Sequence, residues 1–170
     1  MNVRKPMRLS LQHALLAATA LGLSAPVIAN HHELMPDENG FVISQPGDEL
    51  WQEIPGLAGV GYVKVYGDSK QPGVYVVRVR FPPWTMTMPH THSQDRLVAV
   101  IKGTWYVGTD TRFDASRTTP IGLGGYMFHP ANGVHFDGAR ADEVIVQITG
   151  MGPVSTTFLE PELGPTRKIR

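Results

Sequence analysis

From Gly59 onward, apolar residues recur at every second position, in short runs cut by turn formers. "GVGYVKVYG" and "VYVVRVRF" alternate, and "DSKQPG" between them supplies the turn Pro72-Gly73. "WTMTMPHTH" alternates again, and "RLVAVIKG" is a nearly continuous apolar run that predicts a strand buried on both faces. "TWYVGTD", "IGLGGYMFHP", "GVHFDGA", "DEVIVQITG" and "STTFLEP" add further short strands around the polar loop "DTRFDASRTTP". The count is about eight or nine strands, with turn signals at spacings typical of all-β domains. No sustained helical period interrupts them. A chain so patterned must stack sheet on sheet, so the expected class is all-β, a sandwich or barrel.

The first 29 residues read differently. Arg4, Lys5 and Arg8 precede "LQHALLAATALGLSAPVIA", which carries no charge and ends in Val27-Ile28-Ala29. A basic start, an apolar middle and a small-residue exit predict a secretory signal peptide over residues 1–29. His13, Thr19 and Ser24 dilute the run, which argues against stable membrane insertion after cleavage. The expected destination is a bacterial periplasm or the outside of the cell. Residues 30–58 are polar and rich in turn formers ("PDENG", "QPGDEL") and predict an N-terminal arm pinned by Trp51 and Ile54. Residues 59–160 hold the barrel, and residues 161–170 are expected as a mobile C-terminal tail. Without the leader, 12 basic residues face 15 acidic ones. A net charge of −3 is wrong for a phosphate-backbone binder, so nucleic acid is excluded as a partner. The chain has no Cys, so any metal site must use His, carboxylate or amide ligands.

Four of the seven histidines lie after residue 89: His90, His92, His129 and His135. Residues two apart on a strand project to the same face, so His90 and His92 can share one ion. A third ligand must come from elsewhere, and His135 lies in a turn followed by a short strand. Three neutral imidazoles facing inward suit Fe, Mn, Zn, Ni or Cu and leave positions open for water and substrate.

"PHTHSQDRLVAVIKG" resembles the first signature motif of the cupin superfamily, Gly-x5-His-x-His-x3,4-Glu-x6-Gly. "GYMFHPANGVH" with Gly124 is similar to the second, Gly-x5-Pro-x-Gly-x2-His-x3-Asn. The resemblance implies a cupin-type β-barrel, a double-stranded β-helix or jelly roll of the small RmlC-like kind. It implies a divalent metal on His90, His92 and His135, with Gly103 at the turn. Departures stand beside the matches. Arg96 occupies the acidic ligand's position, Asn132 replaces a Gly, and Ala139 replaces the final Asn. His129, just before Pro130, matches no ligand. Arg96 always carries charge and is not expected to ligate a metal. It either faces the cavity and grips an anionic substrate, or turns away to pair with Asp95 while Gln94 or Asp95 approaches the ion, or marks a site that binds a small molecule without metal.

Trp84, Met86 and Met88 share the parity of His90 and are either core or pocket wall. Trp105, Tyr106 and Met127 carry the same two readings. Gln147, an amide inside an apolar strand, either contacts substrate or a ligand histidine, or lies on the solvent face. The candidate substrate-binding set is therefore Arg96, Gln147, Trp84, Met88 and Tyr106. The leading function is an enzyme acting on a small organic, carboxylate-bearing molecule, with dioxygen chemistry (a dioxygenase-type oxidoreductase) favoured. The alternatives are a binding or sensing module that does no chemistry, and a metal-dependent lyase or isomerase. The resemblance also implies a homodimer.

Overall fold

The structure is a computed structural model that describes residues 36–57 and 59–170. The predicted leader at residues 1–29 lies outside the described residues. Among the described residues thirteen short strands follow one another: β1 (Gln52–Glu53), β2 (Gly61–Tyr66), β3 (Gly73–Phe81), β4 (Thr85–Thr87), β5 (His90–His92), β6 (Arg96–Lys102) and β7 (Trp105–Gly108). Then come β8 (Thr119–Ile121), β9 (Tyr126–His129), β10 (Phe136–Gly138), β11 (Val144–Gly152), β12 (Thr156–Phe158) and β13 (Thr166–Lys168). They form a six-stranded sheet in the order β1-β2-β3-β11-β6-β9 and a five-stranded sheet in the order β13-β4-β10-β7-β8. A separate pair joins β12 to β5. Among the described residues, no helix is long and apolar enough to cross a membrane.

Alternation decides which face is buried. On β3, Tyr75, Val77, Val79 and Phe81 point inward, while Val74, Arg78 and Arg80 point out. β11 pairs with β3 along its whole length, from Val144 opposite Phe81 to Gly152 opposite Gly73, and turns Val144, Val146 and Ile148 to the same interior. Trp105 and Val107 of β7 close the core from the second sheet. Each such aliphatic or aromatic side chain stabilises the fold by roughly 1.5–3 kcal/mol when fully buried. Gly103 ends β6 at φ 75°, where a Cβ would strike the Glu143 carbonyl, so the turn requires glycine. Asn132 takes φ 61° at the place of the second motif's glycine; Asn is among the few side chains that tolerate this region.

Three expectations are corrected. β6 is not buried on both faces: Val98 and Val100 point in, but Leu97 is 48% exposed, because nothing among the described residues covers that face. "WTMTMPHTH" is two strands, β4 and β5, broken at Met88-Pro89, so residues on either side of the break do not share a parity. Residues 161–170 are not a mere tail, since β13 pairs with β4, Thr166 opposite Thr87.

Candidate metal centre

His90 and His92 project together from β5, and β5 is followed at once by the turn that leads into β6. His135, just before β10, is brought alongside by a two-way backbone pair: the His90 N–H donates to the His135 carbonyl at 2.9 Å, and the reverse bond is 3.0 Å. The three rings are buried, and one ring nitrogen from each lies within 4.8 Å of the others.

Their far sides fix the tautomers. His90 Nδ1 lies 2.8 Å from the Met88 carbonyl, and His135 Nδ1 lies 3.1 Å from the Gly133 carbonyl. A carbonyl only accepts, so both Nδ1 atoms carry hydrogen and both Nε2 atoms keep a lone pair. His92 Nδ1 meets the Thr156 hydroxyl at 2.9 Å, on the strand that pairs with β5. The Nε2 atoms of His92 and His135 are buried without any hydrogen-bond partner. Buried lone pairs with no donor nearby are rare, and a cation satisfies them. Burial lowers the pKa of all three rings, His90 to about 4, helped by the proximity of His135 and Arg96. The imidazoles are therefore neutral at neutral pH, the form that binds metal. These residues fit a divalent ion.

Arg96 opens β6 and turns into the same cavity. Its Nη2 lies 3.1 Å from His129 Nδ1, while its Nε is buried and unpartnered. Burial lowers its pKa, and nearby Tyr75 and Asp137 counter that effect; a guanidinium there stays charged. The Tyr75 ring tips toward Arg96 over Gly150, the residue paired with Arg96 on β11, where a Cβ would meet the phenol oxygen at 2.8 Å. Asp137, two residues after His135, faces the cavity with both oxygens engaged: Thr87 Oγ1 donates at 2.5 Å and Trp105 Nε1 at 2.9 Å. Burial alone would raise the Asp137 pKa, but the surrounding histidines and the Thr87 hydrogen bond outweigh it and lower it. The cavity holds about 500 Å³ and is lined by His90, His92, Arg96 and Asp137 together with apolar side chains.

Of the substrate-binding candidates, the structure brings only Arg96 to the histidines. Gln147 points to the outer face and accepts from Arg78 Nε at 3.2 Å, as the parity of Val146 and Ile148 requires. Tyr106 also faces outward, with the Arg140 guanidinium 4.5 Å above its ring. Trp84 sits in a turn at φ 61° beneath Arg170, before β4 begins. Met88 is buried beyond the strand break and offers the site its carbonyl, not its thioether. Asp95 does not approach the triad, because its carboxylate accepts from the Ala131 N–H at 2.7 Å, and Gln94 is exposed. Sequence reasoning missed Asp137, Thr87 and Tyr75. Asp137 had a signal, since it lies two residues from His135 on a strand. Thr87 had none, because its orientation follows from the break at Met88-Pro89.

No family model and no curated protein matches the sequence. Solved structures match the fold. The polyketide cyclase RemF from Streptomyces resistomycificus is 19% identical over 70% of this chain and 87% of that one, with a TM-score of 0.56. The DMSP lyase DddQ from Ruegeria pomeroyi DSS-3 is 13% identical over 67% of this chain, with a TM-score of 0.55, and the chain spans 62% of that lyase's length. A cupin-superfamily sugar phosphate isomerase from Silicibacter pomeroyi DSS-3 is 19% identical over 65% of this chain and 74% of that one, with a TM-score of 0.51. The chain has the cupin, RmlC-like fold.

Proposed function

From the cupin fold and its buried histidine triad, we propose a metal-dependent enzyme that acts on a small organic anion. The observation that carries this reading is the convergence of three neutral imidazoles with their Nδ1 sides fixed and two Nε2 lone pairs unsatisfied. His90, His92 and His135 would hold the ion. A divalent metal bound there would supply a Lewis acid and, if redox-active, an electron-transfer centre for dioxygen chemistry. Arg96 receives a carboxylate or enolate on its planar fork and holds it against the centre. Asp137, held by Thr87 and Trp105, keeps a negative charge beside two of the ligands and balances Arg96.

Oxidation by dioxygen is the favoured reaction, because three protein ligands leave positions for both reactants. A lyase or isomerase is the second reading. It is favoured by fold neighbours described as a lyase and an isomerase, which share this architecture at low identity. We also propose export to a periplasm or the medium.

The test is metal content by mass spectrometry on tag-free protein, beside a His90→Ala, His92→Ala double variant. Near one equivalent per chain in the wild type and less than a tenth in the variant is the expected result. Oxygen uptake by the loaded protein across small acids then separates oxidation from anaerobic turnover. Absence of metal from reconstituted wild type would sink the reading.

A further inference from the structure

Among the described residues, five buried side-chain nitrogen or oxygen atoms lack a hydrogen-bond partner: Tyr75 Oη, His92 Nε2, Arg96 Nε, His129 Nε2 and His135 Nε2. They belong to one neighbourhood. The ring centroids of His129 and His135 are 3.9 Å apart, His129 touches Arg96, and Tyr75 leans on the Arg96 register. A metal on the triad satisfies two of the five. The remaining three are donors. Arg96 Nε always donates. His129 accepts from Arg96 at Nδ1, so its hydrogen sits on Nε2. The Tyr75 hydroxyl can donate as well. The one carboxylate at the cavity, Asp137, already accepts from Thr87 and Trp105. Buried donors left unmet among the described residues favour an acceptor from outside, and beside a guanidinium the matching group is an oxyanion.

The apolar part of the cavity lining adds a second constraint. Ile54, Leu57 and Val60 contribute to it from the turn before β2, Phe81 from the end of β3, and Phe158 from β12. The Phe158 ring also lies 5.1 Å from the His90 ring, so the apolar wall reaches the proposed ligand His90. None of these side chains can hydrogen-bond a hydroxyl. A polyhydroxy ligand would bury its hydroxyls unpartnered there, whereas a hydrocarbon or aryl group would be welcomed.

We propose that the cavity is built for a small monocarboxylic acid with an apolar tail. The carboxylate lies on the Arg96 guanidinium, which lines the cavity with Tyr75 packed behind it, and the tail lies among Ile54, Leu57 and Phe158. His129 is a positioning residue that holds the guanidinium. Sugar acids and neutral amides are rejected, the first by the wall and the second by the unmet cation. This substrate class rests on the reading of the triad as the reacting centre.

Calorimetric titration of the full chain with 3-phenylpropionate, 3-phenylpropionamide and gluconate tests it, with metal content measured on the same sample. The acid is expected to bind at least tenfold more tightly than either comparator. Arg96→Lys should weaken the acid at least tenfold and leave the amide unchanged, since the fork is lost and the charge kept. Leu57→Ser, in the apolar wall, should weaken the acid several-fold with the metal content intact. Gluconate or the amide binding as tightly as the acid overturns the proposal, as does the absence of binding by all three. Metal at one equivalent without this preference removes the substrate class alone. The preference without metal, even after reconstitution, removes the metal reading and leaves the acid site standing.

Discussion

Two arginines, one on each face of the same six-stranded sheet, end in opposite situations. Arg78 points outward from β3. Its Nη1 meets Glu49 of the arm at 2.5 Å, and its Nε donates to Gln147. Arg96 points inward from β6, shares one nitrogen with a histidine and leaves Nε without a partner. The outer arginine is satisfied by its own chain and ties Glu49 of the arm to the sheet. The inner one is buried in a polar cavity, and among the described residues its Nε finds no hydrogen-bond partner. A recess of about 590 Å³ lies under the arm near Arg78, larger than the histidine cavity, yet among the described residues it contains no unpartnered buried polar side chain. Volume therefore does not single out the proposed site here. Unsatisfied polar chemistry does.

The largest expected effect breaks this symmetry directly. Arg96→Met should lower kcat/KM on an apolar-tailed acid at least a hundredfold, a loss of about 2.7 kcal/mol in transition-state stabilisation. Arg78→Met should leave kcat/KM within twofold. It should instead cost about 1–2 kcal/mol in urea unfolding, because Glu49 is left half-desolvated without its cation. If Arg78→Met abolished turnover while the protein stayed folded, the division of labour between the faces would be wrong.

Gly150→Ala comes next. Its new Cβ would meet the Tyr75 hydroxyl at 2.8 Å and the phenol ring at 2.9 Å. Overpacking of this kind costs about 1–3 kcal/mol. Here it also pushes Tyr75 toward Arg96, so binding of the acid should weaken together with stability. A stability loss with unchanged acid binding would remove Tyr75 from the site.

The two regions also titrate in different windows. Unfolded histidines protonate near their ordinary value of 6.5, whereas burial, with the neighbouring charges, holds folded His90 down to about 4. Between these values the unfolded chain binds more protons, so metal-free protein should lose stability as pH falls from 6.5 toward 4. Glu49 acts lower. Burial raises its pKa, but backbone hydrogen bonds and Arg78 outweigh that and lower it, so its contribution is present above 4.5 and fades below. Urea midpoints at pH 7 and pH 5 should therefore differ in the metal-free wild type and differ less in a His90→Gln variant, where the buried His92, His129 and His135 still resist protonation. Equal slopes in the two proteins would mean that His90 is not held neutral.

Sequence pattern carried most of the fold, because alternation names the buried face wherever a strand runs unbroken. It placed β3 and β11 and paired His90 with His92, and the motif spacing singled out His135. It failed where local backbone breaks the count. Pro89 separates β4 from β5, so the parity that joined Met88 and Trp84 to His90 did not apply, and Thr87 took the inward position. It also failed for Gln147, whose inward reading conflicted with the parity of Val146 and Ile148. Tyr75 was unreadable for another reason: its proximity to Arg96 depends on the space left by Gly150, across two strand pairings and far away in sequence.

The smallest effect closes the comparison at Gln147. The amide oxygen accepts one hydrogen bond from Arg78 and lies across the sheet from every histidine. In Gln147→Leu that bond is lost, but Arg78 keeps Glu49, so the cost should be about 0.5–1.5 kcal/mol. The leucine would join an outer face that already exposes Leu97, Tyr126 and Met151, so part of the loss is offset by apolar contact. Metal content and acid affinity should not change. The measurement is a urea melt beside a calorimetric titration of the same variant. A change in acid affinity of more than twofold would show that the outer hydrogen bond is transmitted through β11 to its partner β6, where Arg96 starts. The two faces would then be one coupled unit, with the satisfied arginine setting the position of the unsatisfied one.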